Sequence, residues 1–251
     1  MSNFIGTVIF SLIMGASIFL SLPVILRKKT GSKTLKLLNA AAIGILIFLM
    51  ADVFSDAATL LYSNGSFYGY GASPLYSIVL AAGFSLGFFM LYVFENRSKK
   101  GLTPAKTALL IAIGIGLQNL TEGLVFGSLS VSVGLFSGVA LVVLVGFILQ
   151  NITEGFPILS PLLKPKDRKI GTVILLLLVG SIPTIIGGVA GFYYSSTIFN
   201  LFFDGLAIGA ILYVILPMTK HLLKDIDPTH QKVAYLGIFL GFLVGFLVNL
   251  I

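Results

Sequence analysis

The chain has 251 residues, of which 57% are apolar and only 10% are charged, with 16 basic and 9 acidic side chains. Soluble proteins carry roughly 25% charged residues, so this composition excludes a soluble globular domain and predicts an integral membrane protein. The absence of cysteine excludes disulfides and thiolate metal sites. The first residues carry no basic segment, so we predict no cleaved signal peptide.

Eight apolar segments are each long enough to cross a bilayer, whose hydrocarbon core of about 30 Å needs about 20 helical residues. In chain order, we predict spans at Phe4–Leu26, Leu37–Tyr62, Leu75–Phe94, Thr107–Ser128, Val131–Leu163, Ile170–Tyr194, Ser196–Met218 and Val233–Ile251. The fifth segment is too long for one straight helix, and we expect Pro157 and Pro161 to bend or end it. Because the apolar runs are continuous rather than alternating, strands are not expected. The predicted fold is a single all-α membrane domain over residues 1–251.

The basic residues predict the orientation of the chain in the membrane. All 16 fall in the odd-numbered connections between the predicted spans, and the second, fourth and sixth connections carry none. Lysine and arginine accumulate on cytoplasmic loops, so we predict that the odd connections are cytoplasmic and that both termini lie outside. This orientation accounts for the net charge of +7 without a nucleic-acid partner. It also places the protein in the plasma or inner membrane of its cell.

Five acidic side chains fall inside the predicted spans, where an ionisable group costs at least about 2.5–3.5 kcal/mol. No lysine, arginine or histidine lies within these spans to neutralise them, so we expect a cation to do so. Glu122 and Glu154 lie deepest, and we predict that they bind it. Nearer the outer ends, we predict an acidic entrance that concentrates cations, formed by Asp52, Asp56 and Asp204. The alternative for these three is that they are protonated or lie among lipid headgroups.

A six-residue motif occurs once in the fourth span and once in the fifth. The two copies, Gln118–Gly123 and Gln150–Gly155, agree at five of six positions. Within a helix, the Gln and the Glu four residues later share a face. Consecutive spans run antiparallel, so the copies can face each other about a two-fold axis in the membrane plane, as in the inverted repeats of transporters. We therefore predict a metal site of carboxylate and carboxamide groups, formed by Gln118, Asn119, Glu122, Gln150, Asn151 and Glu154.

This motif resembles the His-Asn-x-x-Glu-Gly signature of the ZIP (Zrt/Irt-like protein) metal transporters, and similar stretches occur at Gly15–Pro23, Gly209–Tyr213 and Ala234–Gly241. The resemblance implies eight helices in a 3+2+3 arrangement, passage of divalent metal into the cytoplasm, and a homodimer. It matches Gln118, Glu122, Gln150 and Glu154 to the primary metal site and Asn119 and Asn151 to a second site. It also matches Asp52 and Asp56 to helix-two positions toward the outer entrance.

The sequence departs from this family at positions that bear on the metal. Gln replaces both signature histidines, and Ile182 stands where a helix-six Glu would precede Pro183. These departures predict one central ion rather than two. Amide and carboxylate oxygens suit harder cations than imidazole does. Zinc is the family default, but we expect its binding to be weaker here and manganese, ferrous iron or cadmium to compete well.

The most specific function that these features predict is transport of divalent metal cations, with no catalytic residues and no tightly bound cofactor. Two alternatives stay open. One is a membrane protein that binds and senses metal without moving it. The other is an intramembrane hydrolase, because paired carboxylates can carry out acid–base catalysis, although the sequence has neither a Gly-x-Gly-Asp nor a Gly-x-Ser-Gly motif.

Overall fold

The computed structural model describes residues 3–25, 31–62, 74–96, 103–164, 169–194, 196–223 and 227–250. Over these residues it contains eight helices that are long and apolar enough to cross a membrane. The α-helices that form these spans are α1 (Asn3–Ser17, which continues as a 3-10 helix to Ser21), α2 (Ser32–Tyr62), α3 (Pro74–Asn96), α4 (Pro104–Leu129), α5 (Gly138–Leu159), α6 (Ile170–Tyr193), α7 (Thr197–Leu223) and α8 (Pro228–Asn249). The prediction of an all-α, multi-pass membrane protein with eight spans is confirmed.

The predicted boundary between the fourth and fifth spans is wrong. α4 continues through a π-helical turn, Ser130–Gly134, and α5 begins only at Gly138. Gly134 has a φ of 90°, which an L side chain rarely adopts, and this residue ends the helical path. Ser137 then caps α5 by accepting a hydrogen bond from the Ala140 amide at 3.1 Å. Hydropathy did not reveal this turn because half of its residues, Val131, Val133, Leu135 and Phe136, are apolar and none is charged.

Other helix ends also differ from the prediction. Ser32–Tyr62 is longer than the predicted second span, so Lys33 and Lys36 lie on the first turns of α2 rather than in a connection. Glu95, expected in a cytoplasmic loop, lies in the last turn of α3. Pro157 lies inside α5, which ends two residues later and is followed by a 3-10 turn that contains Pro161. Leu26 and Ile251, two predicted span ends, lie outside the described residues.

α4 is the central helix of the bundle and the most buried of the eight spans. It packs against α6 and α7 and also contacts α5 and α1. The contact with α6 is backbone-to-backbone, because a Cβ built on Gly123 would lie 2.2 Å from the Thr184 carbonyl oxygen, and one on Gly187 would lie 2.2 Å from that of Leu120. This central position places the first copy of the repeated motif in the protein interior.

The peripheral helices pack in the same way. Gly83 and Gly87 of α3 abut the α7 backbone, and Gly44 of α2 abuts α8. From the other side, a Cβ on Gly241 of α8 would lie 2.0 Å from the Ala41 carbonyl oxygen. Small residues allow such close approach in membranes, where helix association depends on van der Waals packing. α2 therefore joins α8 and α7, and it also contacts α5, which carries the second motif copy.

Candidate metal centre

The two copies of the repeated motif meet between α4 and α5. Gln118 Nε2 donates to Glu154 Oε1 at 3.2 Å, and Asn151 Nδ2 donates to Glu122 Oε2 at 3.3 Å. Each copy thus contacts the glutamate of the other. All six side chains of the predicted site are buried, none exposing more than 5% of its surface. The structure therefore brings together every residue that the repeat singled out.

The glutamate pair is linked by carboxamide groups rather than by cationic side chains. Gln118 Nε2 lies 3.3 Å from Glu122 Oε1 as well as 3.2 Å from Glu154 Oε1, so one NH2 group contacts both carboxylates. Asn119 also interacts with Glu154, which is the reciprocal of the Asn151–Glu122 contact. Two carboxylates that share one donor lie close together, and their charges repel in the low dielectric of the interior. A cation between them would remove that repulsion.

Four oxygen atoms of this centre are buried and have no hydrogen-bond donor among the described residues. They are Gln118 Oε1, Asn119 Oδ1, Asn151 Oδ1 and Glu154 Oε2. A buried acceptor without a partner costs about 1–3 kcal/mol, so four in one place are unusual. The centre therefore has more hydrogen-bond acceptors than donors. A bound cation would interact favourably with the oxygens that have no donor.

The two asparagines and the two threonines of the motif also make contacts that fix their helices. Asn119 Nδ2 donates to the Gly180 carbonyl of α6 at 3.0 Å, and Asn151 Nδ2 donates to the Phe147 carbonyl at 2.9 Å. Thr121 and Thr153 each donate to the carbonyl of the motif glutamine in their own helix at 2.7 Å. The asparagines are therefore held with their carbonyl oxygens as the remaining free acceptors.

Asp52 connects the predicted entrance to the centre. Gln150 Nε2 of α5 lies 3.5 Å from Asp52 Oδ2, and Asn249 Nδ2 of α8 donates to Asp52 Oδ1 at 2.6 Å. Asp56, one turn further along α2, is exposed and interacts electrostatically with Asp52 and with Asp204. Asp204 on α7 is only 5% exposed. The three carboxylates thus interact in series. Asp204 is buried, whereas a residue of the predicted entrance was expected to be exposed.

The donor set limits what this centre can bind. Among the described residues, no group of three or more His, Cys, Asp and Glu side chains could hold a metal ion. A metal at the centre would therefore depend on the carboxamide oxygens as well as on the two glutamates. Carboxylate and carbonyl oxygens suit magnesium, calcium and manganese better than they suit soft metals.

Comparison with known proteins assigns no function to this centre. No protein-family model matches the chain, and no curated protein sequence matches it significantly.

Proposed function

We propose that this protein transports divalent metal cations across the membrane into the cytoplasm, as a secondary transporter or facilitator similar to the ZIP family. The observation that carries the proposal is the convergence of Glu122 and Glu154 with three unpartnered amide oxygens in the interior of a protein with eight candidate spans. Carboxylates inside a membrane are rare and mark ion pathways by default. The cation is the cargo, and it supplies the positive charge that the centre lacks.

The donor set supports a single cargo ion with a broad metal preference. Two glutamates neutralise one divalent charge, and the carboxamide oxygens of Gln118, Asn119 and Asn151 add neutral ligands. Manganese and ferrous iron accept such oxygen ligands readily. Zinc and cadmium also bind oxygen ligands, but without imidazole or thiolate ligands their affinity exceeds that of manganese by less. We propose one ion at the centre, with zinc, manganese, iron and cadmium as competing cargoes.

The acidic series supports an entry route from the end of the bundle where Asn249 lies. Asp52, Asp56 and Asp204 interact in sequence, and the Asp52–Gln150 contact joins this series to the centre. Negative charge along a route raises the arrival rate of cations, and salt screens the effect. Neutralising Asp56 should therefore raise the metal concentration needed for half-maximal uptake more than it lowers the maximal rate. We propose that this end faces outside, together with both termini.

Metal flux into proteoliposomes tests this function directly. The purified protein is reconstituted with a metal-sensitive dye inside the vesicles, and manganese or zinc is added outside. We expect uptake that the double variant Glu122→Ala/Glu154→Ala abolishes. Metal binding measured by calorimetry without any flux would replace transport with the sensing alternative. Neither binding nor flux, for any of the four metals, would refute the proposal and return attention to the hydrolase alternative.

A further inference from the structure

The two glutamines of the repeat occupy equivalent sequence positions but make different contacts. Gln118 directs its NH2 group at both glutamates, at 3.3 and 3.2 Å, and is 1% exposed. Gln150 Nε2 lies 3.5 Å from Asp52 Oδ2 on α2, and its side chain also interacts with Glu154, the glutamate of its own helix. A strict two-fold relation between the copies would have given Gln150 a contact with Glu122, to match the contact of Gln118 with Glu154. The Gln118 carboxamide is therefore the one that lies between the two carboxylates.

The end of the carboxamide that faces the glutamates is the end that cannot bind a metal. Only the NH2 group of a glutamine donates hydrogen bonds, and ionised carboxylates only accept them, so this orientation follows from the two contacts. The oxygen that could ligate a cation, Gln118 Oε1, is buried and finds no donor among the described residues. The side chain gains two charge-assisted hydrogen bonds in this position while its carbonyl oxygen stays unpaired.

We infer that Gln118 competes with the cargo for the glutamate pair, and that cation binding turns its carboxamide so that Oε1 replaces Nε2 at the centre. The inference rests on the proposed function and adds a residue that sets cation affinity. The terminal torsion of glutamine has a broad, roughly two-fold preference, so the exchange needs no movement of the helix. In this exchange a metal–oxygen bond replaces the two hydrogen bonds to the glutamates. The carbonyl oxygen of Gln118, which otherwise has no partner, then binds the metal. Gln150, which contacts Asp52, does not undergo this exchange.

Side-chain NMR can observe the exchange, because the chain contains only three glutamines, Gln118, Gln150 and Gln231. The protein is labelled with nitrogen-15 at glutamine side chains, purified in detergent, and titrated with zinc, which is diamagnetic. Single Gln→Leu variants assign the three NH2 signals, and any two of the variants suffice. Gln231 lies near the start of α8 and serves as the internal control. We expect the Gln118 signals to move on saturation with zinc, as both carboxylate hydrogen bonds are lost, while those of Gln231 stay in place.

The second measurement compares matched variants in the presence of a chelator. Gln118→Leu removes the donor that both glutamates share, whereas Gln150→Leu removes a long contact to Asp52 and an interaction with Glu154 alone. We expect the melting temperature to fall more for Gln118→Leu than for Gln150→Leu. Equal melting temperatures would overturn the claim that Gln118 holds the glutamate pair.

Calorimetry on the NMR sample separates failure of this inference from failure of the proposed function. Zinc binding with an unmoved Gln118 signal would overturn the exchange and leave the transporter proposal standing. Absence of binding by zinc and manganese would refute the proposed function and, with it, the exchange. Binding accompanied by movement of the Gln118 signal alone would support both.

Discussion

A carboxamide has one end that donates hydrogen bonds and one that accepts them, and this property governs the centre at the scale of single residues. Asn119 and Asn151 donate through Nδ2 and keep Oδ1 unpaired, so their oxygens are already available as ligands. Gln118 presents its donor to both glutamates, whereas each asparagine interacts with one glutamate and also donates to a backbone carbonyl. The charged members, Glu122 and Glu154, have no cationic partner in the repeat and contribute the only formal charge to it. If the centre carries a cation as proposed, the two glutamates supply the compensating charge and the surrounding amides supply the neutral ligands.

Replacing Glu122 or Glu154 with Ala should abolish metal binding and flux while the protein stays folded. The melting temperature should be unchanged or higher, because each replacement removes a buried charge and the repulsion from the other carboxylate. Calorimetry, flux and thermal unfolding in detergent measure the three effects. Asp227→Asn, at an exposed position before α8, is the control and should behave like the wild type. Wild-type transport by both Ala variants would show that the centre is elsewhere.

Introducing histidine at both glutamine positions should strengthen zinc binding and make it depend on pH. Imidazole is a better zinc ligand than an amide oxygen, but it binds only when neutral. Its ordinary pKa is about 6.5, so zinc affinity of the Gln118→His/Gln150→His variant should fall as the pH drops from about 7 to 6. Zinc titrations across that range measure the effect, and the wild type is the reference. No gain in affinity at pH 7.5 would argue against these positions as metal ligands.

The convergence of the six centre residues was predictable from sequence, because a polar motif repeated in two consecutive apolar segments is expected to bring its copies face to face. Asn249 was not predictable, because its partner Asp52 lies 197 positions away and nothing in the sequence relates them. The different contacts of Gln118 and Gln150 were equally unpredictable, since two motif copies that differ only at the Leu/Ile position gave no reason to expect unequal partners. Sequence thus specified which groups converge, and the neighbouring helices decided where each group points.

At the scale of helices, the position of the centre depends on the close packing of α4 against α6. Gly123 and Gly127 of α4 face the α6 backbone, and Gly187 and Gly191 of α6 face the α4 backbone. Gly123 is also the last residue of the first motif copy, adjacent to Glu122. Any side chain at this contact would push α4 away from α6 and displace the motif. The glycines were visible in the sequence, but which helix each one contacts was not.

Gly123→Ala should destabilise the protein, because its methyl group would lie 2.2 Å from the Thr184 carbonyl oxygen. Overpacking of this kind costs about 1–3 kcal/mol, and we expect weakened metal binding as well. Gly146→Ala on α5 is the matched control, since a Cβ there would meet nothing within 4 Å. An exposed helical Gly→Ala change stabilises by roughly 0.5–1 kcal/mol. Thermal unfolding of both variants in detergent measures the difference, and equal melting temperatures would contradict the packing argument.

At the scale of the whole molecule, polar contacts tie the bundle together at both ends. Asp52 joins α2 to α5 and α8 through Gln150 and Asn249. At the opposite end, Glu95 of α3 accepts a hydrogen bond from Tyr213 of α7, and its backbone carbonyl accepts one from Lys106 of α4. The first end carries Asp52 and Asp56, and Lys106 lies at the second end beside Glu95. In the sequence, every basic residue falls in a connection predicted to lie at the second end. This charge difference between the two ends predicts the orientation in the membrane.

Single cysteines can test that orientation, because the native chain has none and each new thiol would be unique. Phe136, in the turn between α4 and α5, is 69% exposed, and Ser32, at the start of α2, is exposed at the basic end. A membrane-impermeant maleimide added to intact cells should label Phe136→Cys, because the even-numbered connections have no lysine or arginine and are predicted to lie outside. Ser32→Cys should react only after the membrane is permeabilised, and the wild type should remain unlabelled. The reverse pattern would place the acidic entrance in the cytoplasm, so that the same centre would serve export rather than uptake.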